Sequence, residues 1–352
     1  MIERQRSGKR SGPARAVTRV LDMVWDRGAR ELHTPSLDQL DRQIAAALQL
    51  QPRATWRQIA AVIGATESTV RRRAERLLQT GVVRTTVIAD AVIPHVSVLM
   101  QCACRPVDAA EVARALADLD DVRFVALVTG PFDVVAEMVT PSHQDLARII
   151  LRELPAVGGI VRSSTATVLR NFKTSYDWSR DLVGPRAAEL EQRNQNGSPP
   201  GSPPALDDID RRILDRLRED GRSSFADLAA RCGVTESMAR RRVDYLFTRA
   251  SVRPIALVDP RLLGFDVELL LWLRVDLARL ERVAAALASR REVRYVSATS
   301  GYSDLVCEVI VRSHNDLYTF LTTVVGTLDG VRQVDGASEL VTVKRSHIRL
   351  DR

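Results

Sequence analysis

The sequence predicts an α+β protein built as two tandem repeats, each a winged helix-turn-helix followed by a βαββαβ domain. Three observations predict it. Residues 66–77, which carry Arg71, Arg72 and Arg73, return in the second half as residues 235–246, which carry Arg240, Arg241 and Arg242. After each copy the apolar spacing changes from the helical period to stretches of strand and helix in the same order. Between the two programmes lies a polar stretch rich in Pro, Gly and Ser, residues 184–205, which reads as a linker. A chain of 352 residues is too long for one ordinary core, which suits several domains.

Residues 1–35 read as a basic tail (Arg4, Arg6, Lys9, Arg10) with a short amphipathic pattern at Val17, Val20, Leu21 and Val24. Residues 36–90 form the first winged helix-turn-helix. Leu37, Leu40, Ile44 and Leu48 keep a helical period. A second helix, about residues 56–63, is closed by Gly64 in the position of a C-terminal glycine. Thr66 then caps a third helix, with Glu67 in the first turn, both favourable at a helix start. Val70, Ala74 and Leu77 fall at i, i+4 and i+7, an apolar stripe that docks on a core, while the arginine triplet lies off that stripe. Outward arginines on a seated helix are what a DNA-reading helix requires; a solvated charged face is the plainer alternative. The β-branched residues 80–88 read as a hairpin wing.

In residues 95–180 the pattern predicts strands at about 96–105, 122–129, 133–140 and 160–170, and helices at 108–119 and 142–153, with a tight turn at Gly130-Pro131-Phe132. That order is the ferredoxin-like arrangement, an antiparallel sheet with helices on one face. Its other face needs cover, and a second copy can give it. Residues 206–258 repeat the helix-turn-helix, with Ala229, Gly233 and Thr235 mirroring the turn and cap. Residues 264–350 repeat the βαββαβ order, and Ser300-Gly301-Tyr302-Ser303-Asp304 echoes Thr129-Gly130-Pro131-Phe132-Asp133.

The composition, 45% hydrophobic and 27% charged, is that of a soluble globular protein, and a net charge of +7 favours an anionic partner, with nucleic acid the first candidate. The four cysteines, Cys102, Cys104, Cys232 and Cys307, are too sparse for a disulfide framework and suit a reduced cytosol. No apolar run approaches a membrane span; the richest, residues 267–275, is interrupted by Glu268 and Arg274. The basic N-terminus lacks the apolar core of a secretion signal, so a cytoplasmic, nucleoid-associated location is expected.

The pairing of these domains resembles the Lrp/AsnC (leucine-responsive, feast/famine) family of transcription regulators. The resemblance is carried by Leu37, Leu40-Asp41 and Ile44, by the helix-turn-helix, and by the Thr129-Gly130-x-x-Asp133 turn, each with its second-repeat counterpart. It covers about residues 36–350 and looks like a tandem form of a family whose members normally carry one unit. The resemblance implies double-stranded DNA as partner, dimerisation through the β-sheet domain, and often an amino-acid effector bound between dimers near the Gly-x-x-Asp turn. Candidate base or groove contacts are Ser68, Thr69, Arg71 and Arg72, with Ser237, Met238, Arg240 and Arg241 in the second repeat. Candidate phosphate contacts are Arg53, Arg57, Arg73, Arg76, Arg222 and Arg242. Candidate effector contacts are Thr129, Gly130, Phe132 and Asp133, with Ser300, Gly301, Tyr302, Ser303 and Asp304. The two halves are expected to pack as an intramolecular pseudo-dimer, and whole chains to assemble into a homo-oligomer.

The sequence departs from the family pattern in three places. Ala250 stands where the first repeat has Gly81; residues 90–95 replace the Asp-Pro-x-x-Leu-Gly run kept at 259–264; and Pro131 removes a backbone N–H from the first turn. One of the two effector sites is therefore open to being vestigial. Gly130 and Gly301 allow two readings, a tight hairpin or a ligand contact, and Asp133 and Asp304 two more, a turn cap or a partner for a ligand ammonium. Cys102-x-Cys104 puts two thiols on one strand face without the further ligands a metal site needs, so no metal and no cofactor are expected. Phosphate-loop, nucleophile-elbow and His/Glu metal motifs are missing, and no catalytic residue is assigned. One enzymatic alternative shares the plan: siroheme decarboxylases resemble such regulators, with a His-Asn-Tyr stretch where this chain reads Val122-Arg123-Phe124-Val125 and Val293-Arg294-Tyr295. A sensing protein without DNA contact is the third class.

Overall fold

The computed structural model describes residues 37–89, 95–176, 178–191, 206–250 and 252–350. The expected basic tail and short helix of residues 1–35, and most of the departure at 90–95, lie outside these. The first head is three helices, α1 (Gln39–Leu50), α2 (Trp56–Ile63) and α3 (Glu67–Gln79). Each begins on a capping side chain. Asp38 accepts the Asp41 N–H at 2.8 Å, Thr55 and Gln58 form a reciprocal box, and Thr66 accepts from Thr69. Gly64 closes α2 at φ 73°, a left-handed backbone that glycine adopts without a Cβ penalty. Ile44, Leu48, Ile59, Val70, Ala74 and Leu77 are buried together, so the predicted stripe is the helix seat. The second head repeats this with α6 (Asp208–Glu219), α7 (Phe225–Cys232) and α8 (Glu236–Thr248), around Ile213, Leu217, Leu228, Val243 and Leu246.

The expected hairpin wing is corrected. Among the described residues each head is followed by one strand, β1 (Val83–Ile88) and β6 (Arg253–Val258), and these pair with each other, antiparallel, from Val83 opposite Val258 to Ile88 opposite Arg253. The turn at Thr80-Gly81 precedes the strand and none divides Val83–Ile88, whose backbone groups pair with the other repeat instead. The strands also cross over: Val87 of β1 packs in the core of the second head, and Ala256 of β6 in that of the first. The heads are therefore interlocked.

The body is the expected pair of βαββαβ units. The first is β2 (Val96–Cys104), α4 (Ala109–Asp118), β3 (Val122–Val128), β4 (Val134–Thr140), α5 (His143–Arg148) and β5 (Ile160–Thr174). The second is β7 (Val267–Val275), α9 (Leu280–Ala288), β8 (Val293–Thr299), β9 (Leu305–Val311), α10 (His314–Thr323) and β10 (Val331–Arg345), followed by the short β11 (Ile348–Arg349). The expected helix at 142–153 is α5 continued by a π turn (Ile149–Glu153). The last strand of each unit changes partner halfway. β5 pairs with β2 up to Thr167, then with β8; β10 pairs with β7 up to Ser338, then with β3. That exchange carries β5 beyond the predicted end at residue 170 and closes a ring of pairings in the order β10, β3, β4, β2, β5, β8, β9, β7. Alternate residues along each strand then face the helices or the ring interior. Met100, Cys102, Val125 and Met138 pack under the first unit's helices, while Phe124, Ala126, Val135, Leu270 and Trp272 meet inside.

The expected linker is shorter at its start. Ala187 and Leu190 are buried in the first head's core with Trp178, which meets Phe265 edge-on at 5.1 Å. Residues 192–205 lie outside the described ones.

Candidate DNA interface and effector sites

The recognition helices α3 and α8 present matched faces. Ser68, Arg71 and Arg72 are exposed on α3, and Ser237, Arg240 and Arg241 on α8, with Thr69 and Met238 half-buried beside them. The Arg71 and Arg240 side chains are 66% and 65% exposed. Their contacts are local: Arg71 Nε lies 2.9 Å from Glu75, and Arg240 lies over the Phe225 ring at 4.5 Å. Exposed pairs of this kind are weak and give way readily to a phosphate. Arg57, in the first turn of α2, is exposed as well.

The other arginines expected at phosphates have partners within the protein: Arg73, Arg242, Arg53 and Arg222 are half-buried, while Arg76 is paired yet exposed. Arg73 Nη1 binds Asp38 at 2.5 Å and Asp41 at 3.1 Å, and Arg76 Nη2 binds Asp41 at 2.6 Å. In the second head Arg242 binds Asp207 at 2.8 Å and Asp210 at 3.3 Å. Asp41 and Asp210 are almost wholly buried at the start of α1 and α6, and a buried carboxylate requires such a partner. The third arginine of each triplet thus ties the recognition helix to the first helix. Asp38 in turn is held below the usual carboxylate range, first by the Asp41 N–H and then by Arg73.

Arg53 and Arg222 form a reciprocal clasp between the heads. Arg53 donates to the carbonyls of Gly221 at 2.6 Å and Ser223 at 3.1 Å, with the Phe225 ring 5.5 Å away. Arg222 donates to the carbonyls of Pro52 and Ala54 and stacks over Trp56 at 4.1 Å. Burial, with Arg53 alongside, pulls the Arg222 guanidinium down to about 10, still charged at neutral pH. Gly221 is required beside this clasp, because a Cβ there would stand 2.6 Å from the Thr86 carbonyl oxygen.

The two turns expected to touch an effector are built alike. Gly130 and Gly301 have φ of 98° and 101°, a left-handed backbone that favours glycine. Asp133 Oδ2 accepts the Cys104 N–H at 2.7 Å, and Asp304 Oδ2 accepts the Val275 N–H at 2.8 Å. Both carboxylates therefore cap the neighbouring strand's end. The turns also stitch the repeats together: Thr129 bonds Ser338 through its N–H and hydroxyl, and Ser300 bonds Thr167 likewise. Ser303 is buried under Thr299, and Phe132 lies beneath Arg162 at 5.1 Å. Tyr302 is a large exposed side chain, 63% accessible, near Gln333 and Asp335.

A charged cluster not expected from the sequence lies inside the ring. Arg123 grips Glu137 at 3.0 and 2.5 Å, with Ser97 as a further donor. The equivalent pair, Arg294 and Glu308, is joined by Glu268, Glu339 and Arg345. Carboxylate oxygens of Glu268, Glu308 and Glu339 come within 4.8 Å of one another, although metal was not expected. The available signal was a charged residue recurring at the same place in two otherwise apolar strands of each repeat. Cys102 and Cys104 are buried thiols, pushed up to about 12 and about 11 mainly by burial.

Two interlocked helix-turn-helix heads, each with a basic recognition helix, on a two-unit β body define a DNA-binding protein of tandem form. The profile described as an AsnC-type helix-turn-helix domain matches residues 37–78 and 206–246, and that of the Lrp/AsnC ligand binding domain matches 97–178 and 268–347. The chain belongs to the Lrp/AsnC family of transcription regulators. It is 33% identical over 141 residues to an uncharacterized HTH-type transcriptional regulator of Pyrococcus abyssi, a match covering 40% of this chain and 89% of the relative. The HTH-type transcriptional regulator FL11 of the same organism is 28% identical, over 40% of this chain and 91% of its own length. Each relative thus corresponds to one repeat unit. The siroheme decarboxylase NirDL has a similar structure, with a TM-score of 0.57 over 89% of this chain and 94% of that one; at 14% identity the likeness is one of fold.

Proposed function

We propose that this regulator reads DNA with both heads at once, as a single-chain counterpart of a dimer. The observation that carries the reading is the sorting of the arginines. In each repeat two of the triplet are exposed while the third is tied inward, at matched positions on two recognition helices. Ser68, Thr69, Arg71 and Arg72, and Ser237, Met238, Arg240 and Arg241, then face the groove, with Arg57 toward a phosphate. Because the β1–β6 ladder and the Arg53–Arg222 clasp fix the heads to one another, the half-site spacing is fixed too. The two reading faces differ at Thr69 and Met238, which calls for dissimilar half-sites.

The ligand-binding units make a small effector such as an amino acid the second partner, and the exposed Leu277 and Tyr302 offer apolar surface for assembly of chains. We assign no catalytic step. Selection of bound genomic fragments by the purified chain, at two salt concentrations, tests the reading. Short sites with two unlike half-sites at constant spacing, lost at the higher salt, are expected. Sites with a single half-site, or with freely varying spacing, would refute simultaneous use of both heads.

A further inference from the structure

A cavity of about 300 Å³ lies where the first head meets the ring. Gln49 of α1 and Arg84 of β1 line it from the head, and Tyr176 and Trp178 from the segment after β5. Its floor is the charged cluster of the ring, reached through Glu268, Arg294, Glu339 and Arg345. The size is that of a small-ligand site, and aromatic walls with a few polar groups suit one.

The floor has more carboxyl groups than guanidiniums. Arg294 and Arg345 are shared among Glu268, Glu308 and Glu339: Arg294 lies 2.7 Å from Glu268, and Arg345 lies 2.9 Å from Glu308 and 3.0 Å from Glu339. Two guanidiniums thus face three carboxyl groups. Glu339 is the one left over. Its Oε2 is held by Arg345 and by the Thr342 hydroxyl, but its Oε1 is buried without a hydrogen-bond partner, and Arg294 stays 3.9 Å away. The Glu339 side chain is 1% exposed. Asp259, paired with Arg261, and Arg84 also line the cavity, as does exposed Asp266, which makes no ion pair among the described residues.

We propose that this cavity is an effector site for a small molecule bearing a primary ammonium, which docks against Glu339 and pairs with its carboxylate. The inference deepens the regulator reading by placing its effector away from the Gly-x-x-Asp turns. Burial and the neighbouring Glu308 push the Glu339 carboxyl well above its usual range, with Glu268 and the two guanidiniums completing its surroundings. An entering ammonium lets Glu339 ionise, and its proton passes to the solvent. Because the walls come from both the head and the ring, the bound ligand joins the two.

Isothermal titration of the full chain with each of the twenty L-amino acids, and with putrescine and cadaverine, tests this, run in two buffers of different ionisation enthalpy. At least one amine is expected to bind and to release up to one proton. Its hydroxy analogue, lacking the ammonium, should not bind. Glu339→Gln keeps the shape of the acid and removes its charge, so it should fold; its urea midpoint checks this. It should weaken amine binding about tenfold or more, as loss of a charged partner does, while leaving DNA binding without ligand unchanged. No binding by any of these amines would overturn the proposal. So would binding that survives Glu339→Gln but is lost in Tyr302→Ala, which would put the effector at the turn and leave the regulator reading intact. Amine binding lost in Glu339→Gln in a chain that retains no DNA binding would support the site and sink the regulator reading instead.

Discussion

Replacing Arg222 by alanine separates two roles that the sequence alone cannot. In the structure this guanidinium donates to the Ala54 carbonyl from both Nη atoms at 3.1 Å, donates to the Pro52 carbonyl, and covers the Trp56 ring at 4.1 Å. A hydrogen bond from a charged donor contributes roughly 1.5–3 kcal/mol, and a partly desolvated cation–π contact about 1 kcal/mol. Arg222 is only half-buried, so a loss of about 2–4 kcal/mol is expected. With a urea dependence of about 3 kcal/mol per molar, the unfolding midpoint should fall by about 1 M. Urea titration followed by circular dichroism reads this directly. A phosphate-contacting Arg222 predicts the opposite pair of results. The midpoint would hold, and the slope of log affinity against log salt on DNA would fall by about 0.9. That combination would refute the clasp.

Arg71→Ala with Arg72→Ala should behave as the converse, lowering the salt slope by up to about 2 with a stability change within about 0.5 kcal/mol; a large drop in midpoint would show that these arginines hold the head together. Glu339 and Glu308 should give opposite pH signatures. An acid whose folded pKa is raised, as at Glu339, stabilises the fold below the ordinary carboxylate range, about 4.3, and loses that contribution as pH rises. Glu339→Gln should therefore gain stability relative to the parent between pH 5 and 8, and equal urea-midpoint differences at both would count against it. Arg294 and Arg345 outweigh burial and hold Glu308 well below its usual range, so Glu308→Gln should be most destabilising at neutral pH and less so as acid is approached, measured the same way. The buried thiols, Cys102 at about 12 and Cys104 at about 11, should resist a disulfide reagent at pH 8 until the chain is denatured; rapid labelling of the native protein would contradict their burial.

The repeated plan is legible in short-range sequence patterns. Periodicity is a short-range property, so Val70, Ala74 and Leu77 announce their helix face without reference to anything distant, and Thr66 and Gly64 mark its borders through local backbone chemistry. The order of strands and helices in each half, and the need of one sheet face for a partner, followed the same way. Tertiary structure decided what becomes of each charge and each strand edge. Arg71 and Arg73 differ by two positions on one helix, yet one meets solvent and the other meets Asp38 and Asp41, because a turn of about 200° carries them to opposite sides. The run at 83–88 is equally good as one arm of a hairpin or as a lone strand; only the presence of β6 across the molecular pseudo-symmetry gives it a ladder. Arg53 and Arg222 look like surface cations until the other head's carbonyls arrive. The acids of the ring interior belong to strands whose neighbours are set by where β5 and β10 change partners. Such pairings join residues far apart in the chain, and no local pattern encodes them.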